Sequence, residues 1–398
     1  MSRFRMYPTA AQQSALLEQC GHARYLWNLA LEQWSMWTRD KTPTPGFTEQ
    51  CRQLTEARAA FAWLRAGSQT VQQQALRDFD QAVKNFYNGT HRRPTWRKAG
   101  RHEGFRVVGA QACRVVKLSR KWTQVLVPKV GWVRFRLCRA MPDAKSYRIT
   151  RDRVGRWHIA FAVLPKPIPA PGTGEVVGVD RGVTVSAALS TGELLICPGL
   201  SDREQERVKL LQRRLTRCRL GSNRHRRLKQ AVARLLGRSA DRRRDWVEKL
   251  STDLARRYDL IRVEDLRIVG LTRRPKPRPD AGQPGIYVPN GRRAKAGLNR
   301  GILANGWGNL VRRIEHKAVG RVEKISPAFT SQTCSACGHR AAENRKSQAV
   351  FRCAACGHQA NADVNAAVNI AAGRAVSARR ETPVRVSQKR EPQLTASV

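Results

Sequence analysis

The chain has 398 residues, of which 41% are hydrophobic, so it is long enough to bury two or three cores. Its 75 lysines and arginines against 30 acids give a formal net charge of +45, which predicts an anionic partner. The basic residues are spread over the whole chain, and nucleic acid is the partner that best fits this distribution. No apolar run approaches the roughly 18 residues of a membrane-spanning helix and no signal peptide is recognisable, so we expect a cytosolic protein without a membrane partner. Six of the ten cysteines are scattered singly, which is typical of free thiols in a reducing compartment.

The first 91 residues are predicted to be mainly helical. Residues 3–8 form a short edge strand, in which apolar side chains alternate with arginine before a proline. Thr9 and Gln12 can form a capping box at the start of a long helix. Two more helices are expected at about 49–64 and 68–87, after a break that contains proline and glycine.

The next region, from residue 92 to about 165, is predicted to be a small β-barrel or sandwich. Its short apolar runs are separated by turns rich in Gly, Pro and Asp. Arg134 and Arg136 occupy alternate positions of one strand, so their charges point to the same side, where they suit a phosphate backbone. Residues 166–174, rich in Pro, Ala and Gly, are expected to be a linker.

Three acids in the second half of the chain are candidates for catalysis. Asp180 ends a short apolar strand, Glu264 ends a second one, and Asp363 lies at the start of a predicted helix. A single acid in such a position is usually a turn or capping residue. A buried acid is costly unless it binds a cation, so the prediction depends on the three acids coming together.

The order of the elements around these acids is that of an RNase H-like nuclease core. The expected elements are strands at 184–189 and 193–197, an arginine-rich helical stretch at 202–236 that is broken near Gly221, a helix at 241–258, a mobile basic loop at 273–297, a helix at 299–318 and a strand at 320–325. Mg²⁺ prefers oxygen ligands. We therefore expect two Mg²⁺ ions for phosphodiester hydrolysis, with Asp180 as the bridging ligand and Glu264 and Asp363 to either side.

Four clustered cysteines predict one structural Zn²⁺ site. Cys334 and Cys337 form one Cys-x-x-Cys pair, Cys353 and Cys356 form a second, and 15 residues separate the pairs. Each pair is followed by Gly-His, and the glycine lets the backbone turn tightly enough to offer amide hydrogens to the sulfurs. Closed sites of four thiolates are structural, so His339 and His358 are expected to be exposed and not to be ligands.

Several motifs together make the chain resemble a known family. They are Gly178-Val-Asp-Arg-Gly182, Val263-Glu-Asp-Leu266, Gly297-Leu-Asn-Arg300, Gly306-Trp-Gly308, the run from Thr330 to Gly338, Glu343-Asn-Arg345 and Ala362-Asp-Val-Asn-Ala-Ala367. With them, essentially the whole chain resembles the TnpB family of transposon-encoded RNA-guided DNA endonucleases, which are related to compact type V CRISPR effectors. The resemblance implies that Asp180, Glu264 and Asp363 are the catalytic acids and that the four clustered cysteines bind zinc.

The resemblance also implies a multidomain α+β organisation, in which an RNase H-like (RuvC) nuclease domain with a zinc ribbon insertion follows a β-barrel wedge domain that carries a helical recognition insert. The expected parts are a first wedge strand at 1–8, a helical recognition subdomain at 9–91, the wedge barrel at 92–165, the linker at 166–174, the nuclease core at 175–329, a zinc ribbon that binds target nucleic acid at 330–360, the final core helix at 361–372 and a basic, disordered tail at 373–398. Family members often have an aspartate where this chain has Asn361. The exchange leaves the third catalytic acid in place, so we do not expect it to inactivate the protein.

The expected function is that of an RNA-guided DNA endonuclease associated with an insertion-sequence transposon. We expect the protein to form a ribonucleoprotein with a guide RNA and to cut double-stranded target DNA next to a short motif. Gln69, Thr70 and Gln73, in an uncharged amide cluster that opens the predicted helix at 68–87, are candidates for reading that motif, because Gln can hydrogen-bond an adenine edge. A solvated helix face is the alternative for these residues. Three other functions remain open: a compact type V CRISPR effector, a guide-directed repressor that binds DNA without cutting, and a zinc-ribbon RNA-binding protein, which would leave the three acids unexplained.

Overall fold

The computed structural model describes residues 2–36, 44–163, 166–280, 282–283 and 285–373 of an α+β protein. The chain divides into two compact units, one formed by Met1–Pro165 and Leu200–Arg238 and the other by Lys166–Gly199 and Ser239–Val398. The tail expected to be disordered after Gly373 lies outside the described residues. Nowhere in the described ranges is a helix both long enough and apolar enough to cross a membrane.

Strands and helices are numbered in chain order. The strands are β1 (Ser2–Arg5), β2 (Gly104–Val108), β3 (Val115–Lys117), β4 (Trp122–Val127), β5 (Gly131–Arg136), β6 (Ser146–Arg151), β7 (Trp157–Phe161), β8 (Val176–Asp180), β9 (Ala187–Leu189), β10 (Leu194–Leu195), β11 (Leu260–Glu264), β12 (Arg278–Pro279), β13 (Tyr287–Val288), β14 (Val322–Ile325), β15 (Val350–Arg352) and β16 (Gln359–Asn361). The helices are α1 (Ala10–Ser35), α2 (Phe47–Ala60), α3 (Ala62–Ala66), α4 (Gln69–Tyr87), α5 (Asp202–Thr216), α6 (Asn223–Arg257), α7 (Ile268–Leu271), α8 (Arg292–Asn305), α9 (Trp307–Lys317) and α10 (Ala362–Ala371).

The first unit packs helices and two antiparallel sheets around one apolar core. Its four-stranded sheet has the order β1-β7-β6-β2, so β1 is the edge strand that the sequence predicts, and its second sheet has the order β3-β4-β5. A bridge between Met6 and Phe135 links the two sheets. The core joins helix residues such as Leu16 and Phe79 to strand residues such as Tyr147, so the helices and sheets bury their apolar faces together.

Two local predictions in the first unit have opposite outcomes. The capping box at the start of α1 is confirmed, because the Thr9 hydroxyl accepts from the backbone N–H of Gln12 at 3.3 Å and the Gln12 side chain accepts from the N–H of Thr9 at 3.1 Å. The single helix expected at 49–64 is wrong, since Phe61 has an extended backbone that separates α2 from α3. Arg58 stabilises this bend by donating to the carbonyl oxygens of Leu64 and Gly67.

The second unit is built on a mixed five-stranded sheet with the order β10-β9-β8-β11-β14. The strands β8, β11 and β14 run parallel to one another, and β9 pairs antiparallel with β8. Val177, Val179 and Val263 from the middle strands pack with Leu254 of α6 and Ile314 of α9 in one apolar core. β8 is thus buried at the centre of the sheet, as its continuous apolar sequence predicts.

Three predictions for the helices and the basic loop are corrected. The break expected at 236–241 is wrong, because α6 continues through Gly237. A Cβ added at Gly237 would lie 2.6 Å from the Val154 side chain, so the glycine lets Val154 pack closely against the helix. The single helix expected at 299–318 is two, α8 and α9, separated at Gly306, whose φ is +67°. The predicted basic loop contains the hairpin of β12 and β13, and α8 starts before the loop was expected to end. The break near Gly221 is confirmed, because α5 ends before this glycine and α6 begins after it.

Candidate functional site

The parallel register of the second sheet brings two of the three predicted acids to the same edge. Val179 of β8 lies opposite Val263 of β11, and the next residues, Asp180 and Glu264, are the last of their strands. Because the carboxyl ends of parallel strands meet at one edge, the two carboxylates lie near each other. Glu264 is buried, with 8% of its surface exposed.

The third acid is brought to this edge by helix α10, which packs directly against β8. At Gly178 an added Cβ would lie 2.0 Å from the carbonyl oxygen of Ala367 and 2.4 Å from the amide nitrogen of Ala371, so the helix backbone touches the strand. Asp363, the second residue of α10, has its Oδ2 only 3.7 Å from where a Cβ would stand on Gly182. The close approach at Gly178 therefore places Asp363 beside the ends of β8 and β11.

The carboxyl group of Asp180 is influenced by the other two acids. Burial, followed by the nearby charges of Glu264 and Asp363, raises the pKa of Asp180 to about 7. Burial also raises the pKa of Glu264 and that of Asp363. Asp180 thus feels both other carboxylates, and a cation would relieve the repulsion among the three.

Three side chains that the sequence did not single out contact these acids. Arg181 is buried and donates from its guanidinium to the backbone carbonyl of Glu264, which ties the end of β8 to that of β11. The Thr330 hydroxyl donates to Oε1 of Glu264 at 2.7 Å. The Arg345 guanidinium lies 3.5 Å from Oδ1 of Asp363. All three residues lie within the motifs that carry the family resemblance, and this was the available signal for them.

Asn361 has a structural role at the start of α10. Its side-chain oxygen accepts from the backbone N–H groups of Asp363 at 3.0 Å and Val364 at 3.2 Å, so it is the N-cap of the helix. An aspartate could make the same bonds. The asparagine makes this cap without placing a negative charge beside Asp363.

The four clustered cysteines have the geometry of a tetrahedral zinc site. Their Sγ atoms all lie within 4.8 Å of one another, and in the described part of the chain this is the only such group of three or more His, Cys, Asp or Glu side chains. The Cys334–Cys356 and Cys337–Cys353 sulfur distances are 3.8 and 3.6 Å. Sulfurs bound at about 2.3 Å to a tetrahedral ion lie about 3.8 Å apart, so these thiols fit Zn²⁺.

The two halves of the ribbon have the same backbone turn. The N–H groups of Cys334 and Cys353 donate to the carbonyl oxygens of His339 and His358, each at 2.9 Å. Gly338 and Gly357 both have positive φ, as the sequence repeat predicts. His339 is exposed as expected, whereas His358 is half-buried, with its Nε2 3.5 Å from the Ser335 hydroxyl.

Asparagine side chains hold the ribbon together and attach it to α10. Asn344 is fully buried and bonds the backbone of both halves, through Gln332, His339 and Ala354. Asn365 of α10 bonds the backbone of Thr333 and Ser335, and Asn369 bonds the carbonyl oxygens of Thr330 and Thr333. The ribbon and the helix that carries Asp363 are therefore one connected structure.

The candidate motif-reading residues lie in the first unit, on the first two turns of α4. Gln69 is exposed and Thr70 is half-buried, and both line a cleft of about 580 Å³ with Arg114 and Lys129. Gln73 is half-buried and does not line this cleft. The structure thus brings Gln69 and Thr70 to a basic cleft, whereas Gln73 lies apart from it.

Domain families of known proteins match three parts of the chain. A family described as "Probable transposase" matches residues 146–274, a "Cas12f1-like, TNB domain" matches 307–370, and a "Helix-turn-helix domain" matches 2–41. The fold resembles that of a Cas12f1 protein solved in complex with sgRNA and target DNA, with a TM-score of 0.52 and 13% identity over 89% of this chain and 81% of that one.

Two curated proteins match over most of their length. One, from Escherichia coli (strain K12), is named "Putative RNA-guided DNA endonuclease InsQ" and is 32% identical over 94% of this chain and 92% of its own. Another, from Streptomyces pristinaespiralis, is named "Putative RNA-guided DNA endonuclease" and is 29% identical over 84% of this chain and 80% of its own length. The first of these matches exceeds 30% identity over nearly the whole of both proteins, and the chain therefore belongs to the TnpB family.

Proposed function

We propose that this protein is an RNA-guided DNA endonuclease that cuts double-stranded DNA complementary to its guide RNA. The observation that carries the proposal is the meeting of Asp180, Glu264 and Asp363 at one edge of the second sheet, where both other acids act on Asp180. The two curated relatives are named as enzymes of this kind. The net charge of +45 supports a nucleic-acid partner on independent grounds.

The three acids are the proposed ligands of two Mg²⁺ ions. When bound, the ions supply an activated water and stabilise the leaving oxygen of the phosphodiester. Asp180, Glu264 and Asp363 would hold these ions, and Asp180 is the central acid because both other carboxylates influence it. Arg181 and Thr330 hold Glu264 in place from its backbone and its side chain.

Arg345 is a candidate for contact with the substrate. Its guanidinium is half-buried, and its Nη2 lies 3.5 Å from Oδ1 of Asp363 and donates to the carbonyl oxygen of Gln348 at 3.2 Å. Neither contact uses Nη1 or Nε, whose N–H groups can bind an anion. A guanidinium matches the geometry of phosphate oxygens. We infer that it helps to hold the scissile phosphate beside the acids.

The proposed organisation keeps the boundaries expected from the family. Residues 175–329 and 361–372 form the RNase H-like (RuvC) nuclease core, and 330–360 form the zinc ribbon. A central β8 with an antiparallel neighbour on one side and the parallel β11 on the other supports this assignment. Residues 1–8 and 92–165 form the wedge barrel, 9–91 form the recognition insert, and 166–174 form the linker. The relatives are bacterial proteins, which supports action in the cytosol.

Single alanine substitutions of the acids test the function. Asp180→Ala, Glu264→Ala and Asp363→Ala should each abolish cleavage of a guide-matched DNA and leave guided DNA binding intact, because each removes metal-binding oxygens and no phosphate-binding arginine. Glu323→Ala is the matched control, since Glu323 is an exposed acid on β14 of the same sheet. A wild type that binds the matched DNA and cuts no better than Asp180→Ala would be a guide-directed binding protein and not a nuclease.

We also propose that Gln69 and Thr70 read the DNA motif next to the target, with Gln73 in a supporting position. The cleft that Gln69 and Thr70 line also has Arg114 and Lys129 on its walls, so base-edge donors lie beside phosphate-binding charges. The test is cleavage of a library randomised beside the target by a variant with all three residues changed to alanine. We expect a relaxed motif with guide binding preserved, whereas an unchanged motif and rate would exclude these residues.

A further inference from the structure

The outer face of the sheet β3-β4-β5 is unusual in its side chains. Thr123 and Val125 of β4 and Val133 and Phe135 of β5 are buried, so the alternate residues of both strands point outward. The outward residues pair across the two strands as Trp122 with Arg136, Gln124 with Arg134, and Leu126 with Trp132. Two tryptophans and two arginines therefore share one face of a rigid sheet.

A third aromatic ring extends this face at the edge of β5. The Tyr7 ring lies 5.1 Å from the Trp122 ring at an interplanar angle of 74°, and its backbone N–H donates to the carbonyl oxygen of Arg134 at 2.8 Å. The guanidinium of Arg5 lies 5.2 Å from the centre of the Tyr7 ring. The exposed fractions are 37% for Trp122, and 40% for both Trp132 and Tyr7. The rings are thus held in place by the sheet while they remain open to a ligand.

The charge of this region is one-sided. Residues 104–142 contain no aspartate or glutamate, and their basic residues are Arg106, Arg114, Lys117, Arg120, Lys121, Lys129, Arg134, Arg136 and Arg139. By contrast, residues 9–66 have nearly equal numbers of basic and acidic side chains. The outward side chains of β4 and β5 include two arginines and no acid, and exposed aromatic rings beside such charges match the bases and phosphates of a nucleic acid.

We propose that this face binds an unpaired segment of the guide RNA, with nucleobases stacked on Trp122, Trp132 and Tyr7 and phosphates held by Arg134 and Arg136. The segment has to be unpaired, because bases within a duplex are already stacked and cannot lie flat on a protein ring. Under the proposed function the guide RNA is the nucleic acid that the protein holds throughout, whereas the target DNA is bound only for cleavage, which favours the guide as the ligand of a permanent stacking surface. The proposal rests on the guide-RNA function proposed above and specifies where and how that RNA is held.

The test measures binding of short labelled oligonucleotides to the full chain after its RNA has been removed with high salt. For oligo(U), Trp122→Ala and Trp132→Ala should each weaken affinity by roughly 5- to 150-fold, the usual effect of losing one stacked base. Neither variant should change affinity for an RNA duplex of the same length by more than about twofold, because a duplex offers no free base. Trp122→Phe should keep most of the oligo(U) affinity, since it keeps an aromatic plane.

Trp63→Ala is the matched control. Trp63 is exposed to 47%, more than Trp122 or Trp132, but it lies in the segment of balanced charge, so we expect the Trp63→Ala variant to bind oligo(U) as the wild type does. Changing Arg134 and Arg136 together to glutamine should instead weaken oligo(U) and duplex alike and lower the salt dependence of both. Thermal unfolding of every variant shows whether it is folded.

A second measurement uses the ribonucleoprotein as it is purified from cells. Ultraviolet cross-linking followed by peptide mapping should find RNA attached to the peptides that contain Trp122 or Trp132, and not to the one that contains Trp63. The inference is overturned if the tryptophan variants bind oligo(U) normally, if they lose duplex binding equally, or if oligo(dT) binds the face more tightly than oligo(U). A wild-type protein that binds RNA at this face but does not cut guide-matched DNA would contradict the proposed nuclease function without contradicting the proposed RNA site.

Discussion

At the scale of single residues, Gly178 determines whether helix α10 can reach the central strand. The atoms that a Cβ would meet there, at 2.0 and 2.4 Å, belong to the helix backbone and cannot rotate away. Gly178→Ala should therefore push α10 outward, lower the melting temperature and reduce cleavage by about 100-fold or more through displacement of Asp363. Gly199→Ala is the control, since an added Cβ there meets nothing within 4 Å. Equal cleavage by the two variants would show that the contact is unimportant.

The Asp180 carboxyl should make the metal-free protein sensitive to pH. Its pKa rises from 3.8 to about 7 on folding, so the folded state binds more protons and loses stability as the pH rises from about 4 to 7. The asparagine of Asp180→Asn cannot ionise, so in EDTA the stability of this variant should not fall over that pH range. At pH 8 its free energy of unfolding should exceed that of the wild type by at most about 4 kcal/mol. Denaturant unfolding at pH 4 and pH 8 measures this difference. Parallel pH profiles for the two proteins would contradict it.

Some residues of the site were predictable from the sequence and others were not. Asp180 and Glu264 were predictable because each follows an apolar run, and the cysteines because their spacing is local. The contacts of Arg181, Thr330 and Arg345 with these acids were not predictable. A guanidinium or hydroxyl has no periodic signature, and the partners Glu264 and Asp363 lie on other elements. The exclusion of Gln73 from the cleft likewise depends on how α4 packs.

At the scale of elements, the zinc ribbon should control the position of Asp363. Cys334→Ser or Cys353→Ala should release Zn²⁺, disorder the ribbon and lower cleavage, because Asn365 and Asn369 of α10 would lose the backbone groups that they bind. Cys138→Ser, which changes an exposed free cysteine, should leave both properties unchanged. Zinc content is measured by metal analysis beside the cleavage rate. A purified wild type without stoichiometric zinc would remove the basis of this prediction.

The errors of prediction at this scale have a common physical origin. Gly237 lies in a predicted break and Gly306 lies within a predicted helix, and both predictions are wrong. Gly306 has a positive φ and does separate two helices, whereas Gly237 is helical and makes room for Val154. The bend at Phe61 depends on carbonyl contacts made by Arg58. A contact with a distant residue at Gly237, the backbone conformation of Gly306 and the side-chain bonds of Arg58 are all features that periodicity does not encode.

At the scale of the whole molecule, the charge of +45 predicts that the protein is obtained as a ribonucleoprotein. Removal of the RNA should lower stability or solubility, because the positive charges then repel one another without a counterion partner. Binding of RNA releases counterions, so the logarithm of the affinity should fall steeply and linearly with the logarithm of the salt concentration. Sequencing of the copurified RNA and a salt titration test this prediction. A stable, RNA-free protein at low salt would contradict it.

The direct passage of β16 into α10 has a thermodynamic consequence for the two kinds of metal. Asn361 ends the ribbon strand and caps the helix that carries Asp363, so no flexible segment separates the two sites. If zinc stabilises the position of Asp363 in which it binds Mg²⁺, reciprocity requires that Mg²⁺ increase the affinity of the four thiols for zinc by the same factor. The ribbon and the acids would then be effectors of each other, and a zinc affinity measured without Mg²⁺ would underestimate the value in the working enzyme.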